Sequence, residues 1–326
     1  MMLDSAAPST MVKTARALAS TAAAMPGSPL AVRAYALAPP AFKNAVLSRV
    51  TSAIASRCLN ETELVETNLG LRADYRVLVP ARKHHLTLGK PDQFVPERAT
   101  LELARRLAPL SDAFIDVGAN EGIFTFAVAA DQGHRYHERM HLFEPDPRLF
   151  SRLKSNLIRN QILAHANKSA MADTVGTRTF YRNVSDDLSG SLTRHFETLH
   201  HTVPVQTEVT SLSHYLQQHD LRNVCVKIDV EGAGVSVWSG ASRVIDRIGW
   251  FIIEIIGPEL EADLPRRIIR ESGWNAWYIR DFELVRSVQG EFNYAAPFYN
   301  WLFTPKCSSE LKTFLSGTRF QLVNAI

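Results

Sequence analysis

The sequence predicts an α/β fold with a mostly parallel, doubly wound sheet, and three observations carry this prediction. Residues 112–129, DAFIDVGANEGIFTFAVA, run from a short apolar stretch through a glycine-containing turn into a second apolar stretch of helical length. Strand-like and helix-like segments then alternate along most of the chain. Several strand-like runs are apolar throughout, which is typical of parallel strands covered by helices on both faces.

The elements of this sheet are predicted in chain order. Asp146 is a good N-cap and Pro147 a good first residue, so a helix should run from Pro147 to Asn160. Thr210 should cap a helix over Ser211–His219. The other predicted helices are Pro96–Leu110, Ile123–Ala130, Val235–Ile245 and Leu264–Glu271. The predicted strands are Ala113–Val117, Met140–Phe143, one within Ala164–Ala172, the edge strands Thr177–Arg182 and Val203–Val209, then Asn223–Ile228, Trp250–Ile256, Trp274–Arg280 and Tyr299–Thr304.

Residues 1–74 are predicted to form an N-terminal extension to a larger domain over residues 75–326. Prolines interrupt any helix in the first 40 residues, which are therefore expected to be partly disordered. Apolar residues at helical spacing predict a short amphipathic helix over Ala41–Ser56. Alternating residues within 63–95 predict a small antiparallel β-ribbon.

Composition narrows the class of protein. The chain has 326 residues, of which 46% are hydrophobic and 21% charged, and a net charge of +3, so it predicts neither a nucleic-acid partner nor an anionic membrane. No apolar segment approaches the roughly 20 residues that span a bilayer. The three cysteines, Cys58, Cys225 and Cys307, form no disulfide framework, which favours a reducing, cytoplasmic location.

The glycine-containing turn indicates a nucleoside-like ligand. Gly118 and Gly122 flank Asn120 and let the backbone turn tightly against a ligand. The spacing G-x-x-x-G differs from the dinucleotide motif G-x-G-x-x-G, and no G-K-[ST] follows it. A ligand with a ribose and without a phosphate therefore fits this turn better than a dinucleotide or a triphosphate.

Four predicted strands each carry an acidic residue at or near the carboxyl end: Asp116, Glu144, Asp229 and Glu254. In an open parallel sheet these ends line one crevice. A carboxylate at Glu144 would accept hydrogen bonds from two ribose hydroxyls, and capping of the helix at Pro147 is the structural alternative. Asp116 would hold the amides of the turn or meet a cationic group of the ligand, unless its role is purely structural.

Four segments in this order, FIDVGANEGIFTF, LFEPDP, VKIDVEG and FIIEI, resemble the FkbM family of S-adenosylmethionine-dependent methyltransferases, over roughly Tyr75 to Pro305. The resemblance implies a Rossmann-like methyltransferase sheet, S-adenosyl-L-methionine as cofactor and transfer of a methyl group, usually to a hydroxyl oxygen. It also implies a cofactor site: a loop of Asp116, Gly118, Asn120 and Gly122, the ribose on Glu144, the adenine beside Ser169 and Ala170, and the methionine end beside Asp229.

The chain departs from the family pattern at one position. The motif usually continues as E-G-x-E, whereas here Gly232 and Ala233 are followed by Gly234. The role of that missing carboxylate in binding substrate or metal is therefore in question. Gly234 is also the feature that favours a non-catalytic module that binds S-adenosylmethionine without transferring its methyl group.

Methyl transfer to oxygen needs a base for the acceptor proton. Asp229 and Glu231 are the predicted candidates, and a histidine within His195–His201 is the alternative. Lys227 lies in an apolar strand, so it is expected to pair with Glu231 or Glu254 and to act with them, or else to reach solvent at the strand end without a catalytic role.

No metal site is predicted. His134, His137 and His141 are interpreted as part of a solvated polar loop, where their spacing brings no convergence on one ion. Asp229 and Glu231 alone make a poor magnesium site.

The predicted function is O-methylation of a hydroxyl on a sugar, glycolipid or secondary metabolite. The alternatives are N-methylation of a small amine or peptide, which lacks the Asn/Asp-Pro-Pro-Tyr/Phe signature here, and the non-catalytic module. The acceptor pocket is predicted from Val184–Pro204 and Glu291–Phe298, and the sequence predicts neither the acceptor nor the oligomeric state.

Overall fold

The structure is a computed structural model. It describes residues 28–39, 50–51, 54–55, 58–60, 63–81, 97–184, 190–194, 201–256, 261–291 and 300–324. The chain divides into two compact units, Met1–Arg98 and Ala99–Ile326. The functional boundary predicted after residue 74 stays a prediction.

The first unit contains a helix and a β-hairpin. Helix α1 spans Ser28–Ala36, so the prediction that prolines interrupt any helix in the first 40 residues is wrong there: Pro29 lies in the first turn, where its missing N–H is not needed. Strands β1 (Leu64–Thr67) and β2 (Val77–Pro80) pair antiparallel. The hairpin agrees with the predicted ribbon, whose last part lies outside the described residues, as does most of the helix predicted over Ala41–Ser56.

The second unit is built on a nine-stranded sheet with the order β15-β13-β12-β14-β11-β10-β3-β4-β5. Strands β11, β10, β3, β4 and β5 are parallel to one another. Strand β14 pairs antiparallel with both β11 and β12. The strands of this sheet are β3 (Phe114–Val117), β4 (Met140–Phe143), β5 (His165–Asn167), β10 (Val224–Ile228), β11 (Ile248–Glu254), β12 (Asn275–Arg280), β13 (Glu283–Ser287), β14 (Asn300–Thr304) and β15 (Gln321–Val323).

Helices cover both faces of this sheet, so the doubly wound prediction is confirmed. On one face, Ile115, Val226 and Phe251 pack in a core with Trp238 and Ile268. Within the described residues, the helices of this unit are α2 (Arg98–Leu107), α3 (Ile123–Ala130), α4 (His134–His137), α5 (Pro147–Arg159), α6 (Leu212–Gln218), α7 (Gly234–Ala241), α8 (Leu264–Ser272) and α9 (Ser308–Phe314). On the other face, Asp116 and Lys227 contact α3, and Trp250 contacts α9.

A second, four-stranded sheet has the order β6-β9-β7-β8. Its long strands, β7 (Gly176–Asn183) and β9 (Thr202–Thr210), pair antiparallel as the sequence predicts. The third strand predicted within Ala164–Ala172 is divided: β5 ends the large sheet, and β6 (Ser169–Met171) joins β9 in the small one. Strand β8 comprises Gly190 and Ser191.

The N-caps of two helices can be compared with those predicted from the sequence. Asp146 caps α5 by accepting a hydrogen bond from the Arg148 amide at 2.8 Å, which confirms the prediction. The prediction for Thr210 is wrong, because Ser211 caps α6 and accepts from the His214 amide at 3.1 Å. Among the residues that the structure describes, no helix has the length and apolarity that crossing a bilayer requires.

Candidate functional site

A cavity lies at the carboxyl ends of β3, β4 and β10. It encloses about 680 Å³, including its opening to solvent. Six of the residues that the sequence singles out line it: Gly118, Asn120, Glu144, Ala170, Asp229 and Glu231. The topology places them together because parallel strands deliver their carboxyl ends to one edge of the sheet.

Gly118 and Gly122 shape the turn after β3. Gly118 has a φ of +79°, and a Cβ there would lie 1.8 Å from the carbonyl oxygen of Asp229. Gly122 has a φ of +89°, and its Cβ would lie 2.7 Å from Leu153 on α5. Gly118 thus lets the β3 turn touch the end of β10, and Gly122, which does not line the cavity, lets α3 begin against α5.

Glu144 is buried at the end of β4 with both carboxylate oxygens bonded to the backbone. Its Oε2 accepts from the Asn120 amide at 2.9 Å, and its Oε1 accepts from the Asp146 amide at 2.8 Å. Burial raises the pKa of Glu144 to about 8, although these two amides oppose the rise. Glu144 therefore joins the β3 turn to the β4 turn. Asp146 itself is the N-cap of α5, and Glu144 bonds to the amide of this N-cap residue, so Glu144 also has a structural contact at the helix N-terminus that the capping alternative names.

Asp116 points to the other face of the sheet and does not line the cavity. Its Oδ2 accepts from the Thr125 hydroxyl at 2.7 Å, and its buried Oδ1 has no hydrogen-bond partner within the described part of the chain. Burial raises the pKa of Asp116, and the positive charge of Lys227 opposes the rise. Its role in cofactor binding stays a prediction.

Lys227 and Asp229 form an ion pair at the end of β10. The Nζ of Lys227 donates to Asp229 Oδ2 at 2.9 Å, and it lies 4.2 Å from the centre of the Phe124 ring. Lys227 is buried and needs an anionic partner, and Asp229 is one that the sequence analysis did not name. Burial raises the pKa of Asp229, but the charge of Lys227 and a hydrogen bond with Glu254 outweigh it, so the pKa is lowered.

The small sheet supplies cavity residues, of which Phe180 was not predicted, whereas Gly190, Ser191 and Leu192 belong to the predicted acceptor segment Val184–Pro204. Phe180 on β7 and Gly190 and Ser191 on β8, with Leu192 after them, line the cavity. A Cβ on Gly190 would lie 2.5 Å from Phe180, so the ring packs directly on this glycine. The alternating side chains of β7 and the glycine at position 190 are sequence signals for this contact. Nothing in the sequence, however, shows that the two sheets meet at one cavity.

Ser169 and Ala170 occupy different surroundings. Ala170 lines the cavity, whereas Ser169 lies on neighbouring surface grooves. Of the base candidates within His195–His201, only His201 is among the described residues, as is only Glu291 of the predicted acceptor segment Glu291–Phe298.

The solvated-loop interpretation of His137 and His141 is wrong, because both side chains are 5% exposed. His137 ends the single turn α4, and His141 lies within β4. His141 Nδ1 is 2.9 Å from the Tyr215 hydroxyl, and its ring stacks on His165 with centroids 4.8 Å apart. Burial lowers the pKa of His141 to about 4, so this ring is neutral at physiological pH.

The fold and the cavity define a class: a Rossmann-like α/β protein with a pocket at the carboxyl ends of its parallel strands. The model of the methyltransferase FkbM domain matches residues 116–286, just over half of the chain. The chain therefore belongs to the FkbM methyltransferase family.

Three solved structures overlap with much of this chain. A crystal structure of the methyltransferase FkbM from Methylobacillus flagellatus KT is 13% identical, with a TM-score of 0.39, over 81% of this chain and 56% of that chain. The human methyltransferase 10 domain containing protein is 12% identical, with a TM-score of 0.40, over 74% of this chain and 91% of that chain. The tRNA (uracil-54, C5)-methyltransferase of Pyrococcus abyssi, in complex with S-adenosyl-L-homocysteine, is 12% identical, with a TM-score of 0.37, over 74% of this chain and 44% of that chain.

This chain thus spans little more than half of the length of the Methylobacillus protein. No curated protein matches the chain in sequence. At these identities and TM-scores the solved structures add nothing to the family assignment, which rests on the family-model match.

Proposed function

We propose that this protein transfers the methyl group of S-adenosyl-L-methionine to a hydroxyl oxygen of a sugar, glycolipid or secondary metabolite. The observation that carries the proposal is the position of Glu144, a carboxyl group that lines the cavity while it is bonded to the turn after β3. A carboxyl group in that place retains lone pairs for ribose hydroxyls in either protonation state.

The residues that line the cavity fit this cofactor. Neither lysine nor arginine lines the cavity among the described residues, so it offers no basic side chain to a phosphate. Apolar side chains on several elements, Phe143, Leu149, Met171, Phe180 and Leu192, give a surface on which a purine can pack. Acidic groups at Glu144 and Asp229 suit a ribose and a cationic methionine end.

The residues in and beside the cavity have distinct roles in the proposal. Glu144 binds the ribose, the Gly118 turn approaches the cofactor, and Ala170 lies beside the adenine. Lys227 keeps Asp229 ionised, so Asp229 faces the cationic end of the cofactor and is a weak base. When bound, S-adenosylmethionine supplies a methyl group that the sulfonium has already activated.

The acceptor proton is assigned to a carboxylate at the cavity. An efficient base has a pKa near the working pH, and Asp229 has a lowered pKa because Lys227 and Glu254 stabilise its ionised form. Glu231 lines the same cavity two residues further along the chain and is half-buried. We therefore place Glu231 before Asp229 as the base, and both are candidates for test.

The experiment is transfer of labelled methyl from S-adenosylmethionine to a panel of sugars, glycolipids and polyketide alcohols, with matched amines in the same panel. The proposal predicts label in an ether that survives alkaline treatment and is located on oxygen by fragment masses. Label found only on nitrogen would contradict hydroxyl transfer but keep the methyltransferase assignment.

A further inference from the structure

Glu261 is a buried carboxylate that joins two loops at the carboxyl edge of the sheet. It is 1% exposed, and its Oε1 accepts from the Gly234 amide at 2.6 Å. Its Oε2 accepts from the Ile256 amide at 2.8 Å. Gly234 begins α7 after β10, and Ile256 follows β11, so one side chain bonds to the segments that leave two neighbouring strands.

Gly234 is the residue that makes room for this carboxylate. A Cβ at Gly234 would lie 2.7 Å from Glu261 Oε1 and 3.1 Å from both Ile253 Cδ1 and Leu264 Cδ2. A side chain at position 234 and the carboxylate of Glu261 thus compete for the same space. Position 234 therefore has no carboxylate of its own, and the carboxylate of Glu261 lies beside it instead.

The residues just before Gly234 form one wall of the cavity. Asp229, Val230, Glu231 and Ala233 line the cavity immediately before Gly234. Glu231 has a φ of +50° and Gly232 a φ of +83°, so the wall passes through the left-handed region at two successive residues, one of them with a side chain. Such a backbone persists only where its surroundings fix it.

We propose that Glu261 is a positioning residue that fixes the cavity wall Asp229–Ala233 for binding of the methyl donor. The inference rests on the function proposed above. Glu261 does not line the cavity, so it acts through the backbone amides that it bonds. Both partners are N–H donors, so the role requires two acceptor oxygens, which a carboxylate has and an amide lacks.

The test compares Glu261→Gln with Glu271→Gln. Glutamine keeps the size of Glu261 but turns an NH₂ group toward one of the two amides. Glu271 is the matched control, because it also bonds to α7, accepting from Trp238 Nε1 at 2.7 Å, but it is paired with Arg267 instead of the cavity wall. Calorimetry measures the Kd for S-adenosylmethionine, and hydrogen exchange without ligand measures the amides of residues 229–235.

We expect Glu261→Gln to weaken S-adenosylmethionine binding about tenfold, the effect of losing one charge-assisted hydrogen bond, and to speed exchange over residues 229–235. Glu271→Gln should leave both unchanged. Binding and exchange at wild-type levels in Glu261→Gln would overturn the inference alone. Failure of the wild-type protein to bind S-adenosylmethionine would overturn the proposed function and this inference with it.

If Glu261→Gln does not fold, Gly234→Ala replaces it, because the added Cβ displaces the same carboxylate from the other side. The same weaker binding and faster exchange are then expected. A Gly234→Ala protein with wild-type affinity and wild-type exchange would overturn the inference as firmly.

Discussion

At Glu144, burial and hydrogen bonding act in opposite directions on one carboxyl group. Burial raises its pKa to about 8 from an ordinary value of 4.5, while the Asn120 and Asp146 amides favour the ionised form. Because the folded protein then binds a proton that the unfolded chain releases, this group stabilises the fold fully below pH 4.5. That stabilisation is lost as the pH rises toward 8.

Glu144→Gln should remove this pH dependence. Between pH 5 and 8 the wild-type free energy of unfolding should fall by about 4 kcal/mol more than that of the variant, from the size of the pKa shift. Urea denaturation at several pH values measures both. The comparison is made at equal pH, since His141, whose pKa is lowered to about 4, acts in the opposite sense. Parallel curves for the two proteins would contradict the raised pKa.

Asp229 and Glu231 can be separated by their kinetics. Glu231→Gln should lower kcat by about 10²- to 10⁴-fold, the usual effect of removing a general base, and leave the Kd for S-adenosylmethionine unchanged. Asp229→Asn should chiefly raise that Kd, because it removes the anion beside Lys227. Transfer at the wild-type rate in Glu231→Gln would reject Glu231 as the base, and the same result with intact binding in Asp229→Asn would reject Asp229.

At the scale of single elements, the turn after β3 depends on one glycine. Gly118→Ala places a Cβ 1.8 Å from the Asp229 carbonyl oxygen at a φ of +79°, so it should lower the free energy of unfolding by more than about 2 kcal/mol. Gly133→Ala is the control, because no atom lies within 4 Å of its Cβ and its φ is −80°. Equal melting temperatures for both variants would show that the turn is not tightly fixed.

The bounds of an element are predicted closely where the sequence contains clear residues for its start or end. The helix predicted over Ile123–Ala130 has those bounds, and Asp146 and Pro147 mark the start of α5. The sequence could not divide Ala164–Ala172 between two sheets, because strands of three residues have too few positions to show a period. Strands β13 and β15 and helix α9 were missed, because each is short and shows no distinct period in the sequence.

The histidines show a second limit of the sequence. The polar segment DQGHRYHERMH predicts a solvated loop, yet His137 and His141 are buried. Tertiary packing decides this: His141 is the second residue of β4 and reaches Tyr215 on α6, far along the chain. No periodicity within the segment contains that contact.

At the scale of the whole second unit, the cavity is enclosed by two sheets. Of the four acids predicted to line one crevice at the large sheet, Glu144 and Asp229 line the cavity. Asp116 lies on the other face of the sheet, and Glu254 bonds to Asp229. The alternation of side chains in β3 explains the place of Asp116, because neighbouring residues of a strand face opposite sides. Leu192 and β8 belong to the segment Val184–Pro204 that the sequence predicts for the acceptor pocket, whereas the place of Phe180 could not be predicted, since it depends on how the two sheets pack.

Leu192 tests whether the small sheet takes part in binding. Leu192 lines the cavity and packs on Ala170, Ala172 and Val209, so Leu192→Ala should raise the Kd for S-adenosylmethionine about tenfold through lost apolar contact. Val203→Ala, on an exposed position of β9, is the matched control and should not change the Kd. Equal affinities for both variants, measured by calorimetry, would place the cofactor outside this wall.

The central claim is that the cavity binds a nucleoside with a cationic methionine end and no phosphate. Calorimetry of the wild-type protein with S-adenosyl-L-methionine tests it most directly, with nicotinamide adenine dinucleotide as the comparison ligand. The account predicts saturable binding of one S-adenosylmethionine per chain, weakened at least tenfold in Glu144→Ala, and no binding of the dinucleotide. Absence of S-adenosylmethionine binding, or equal binding of the dinucleotide, would contradict it.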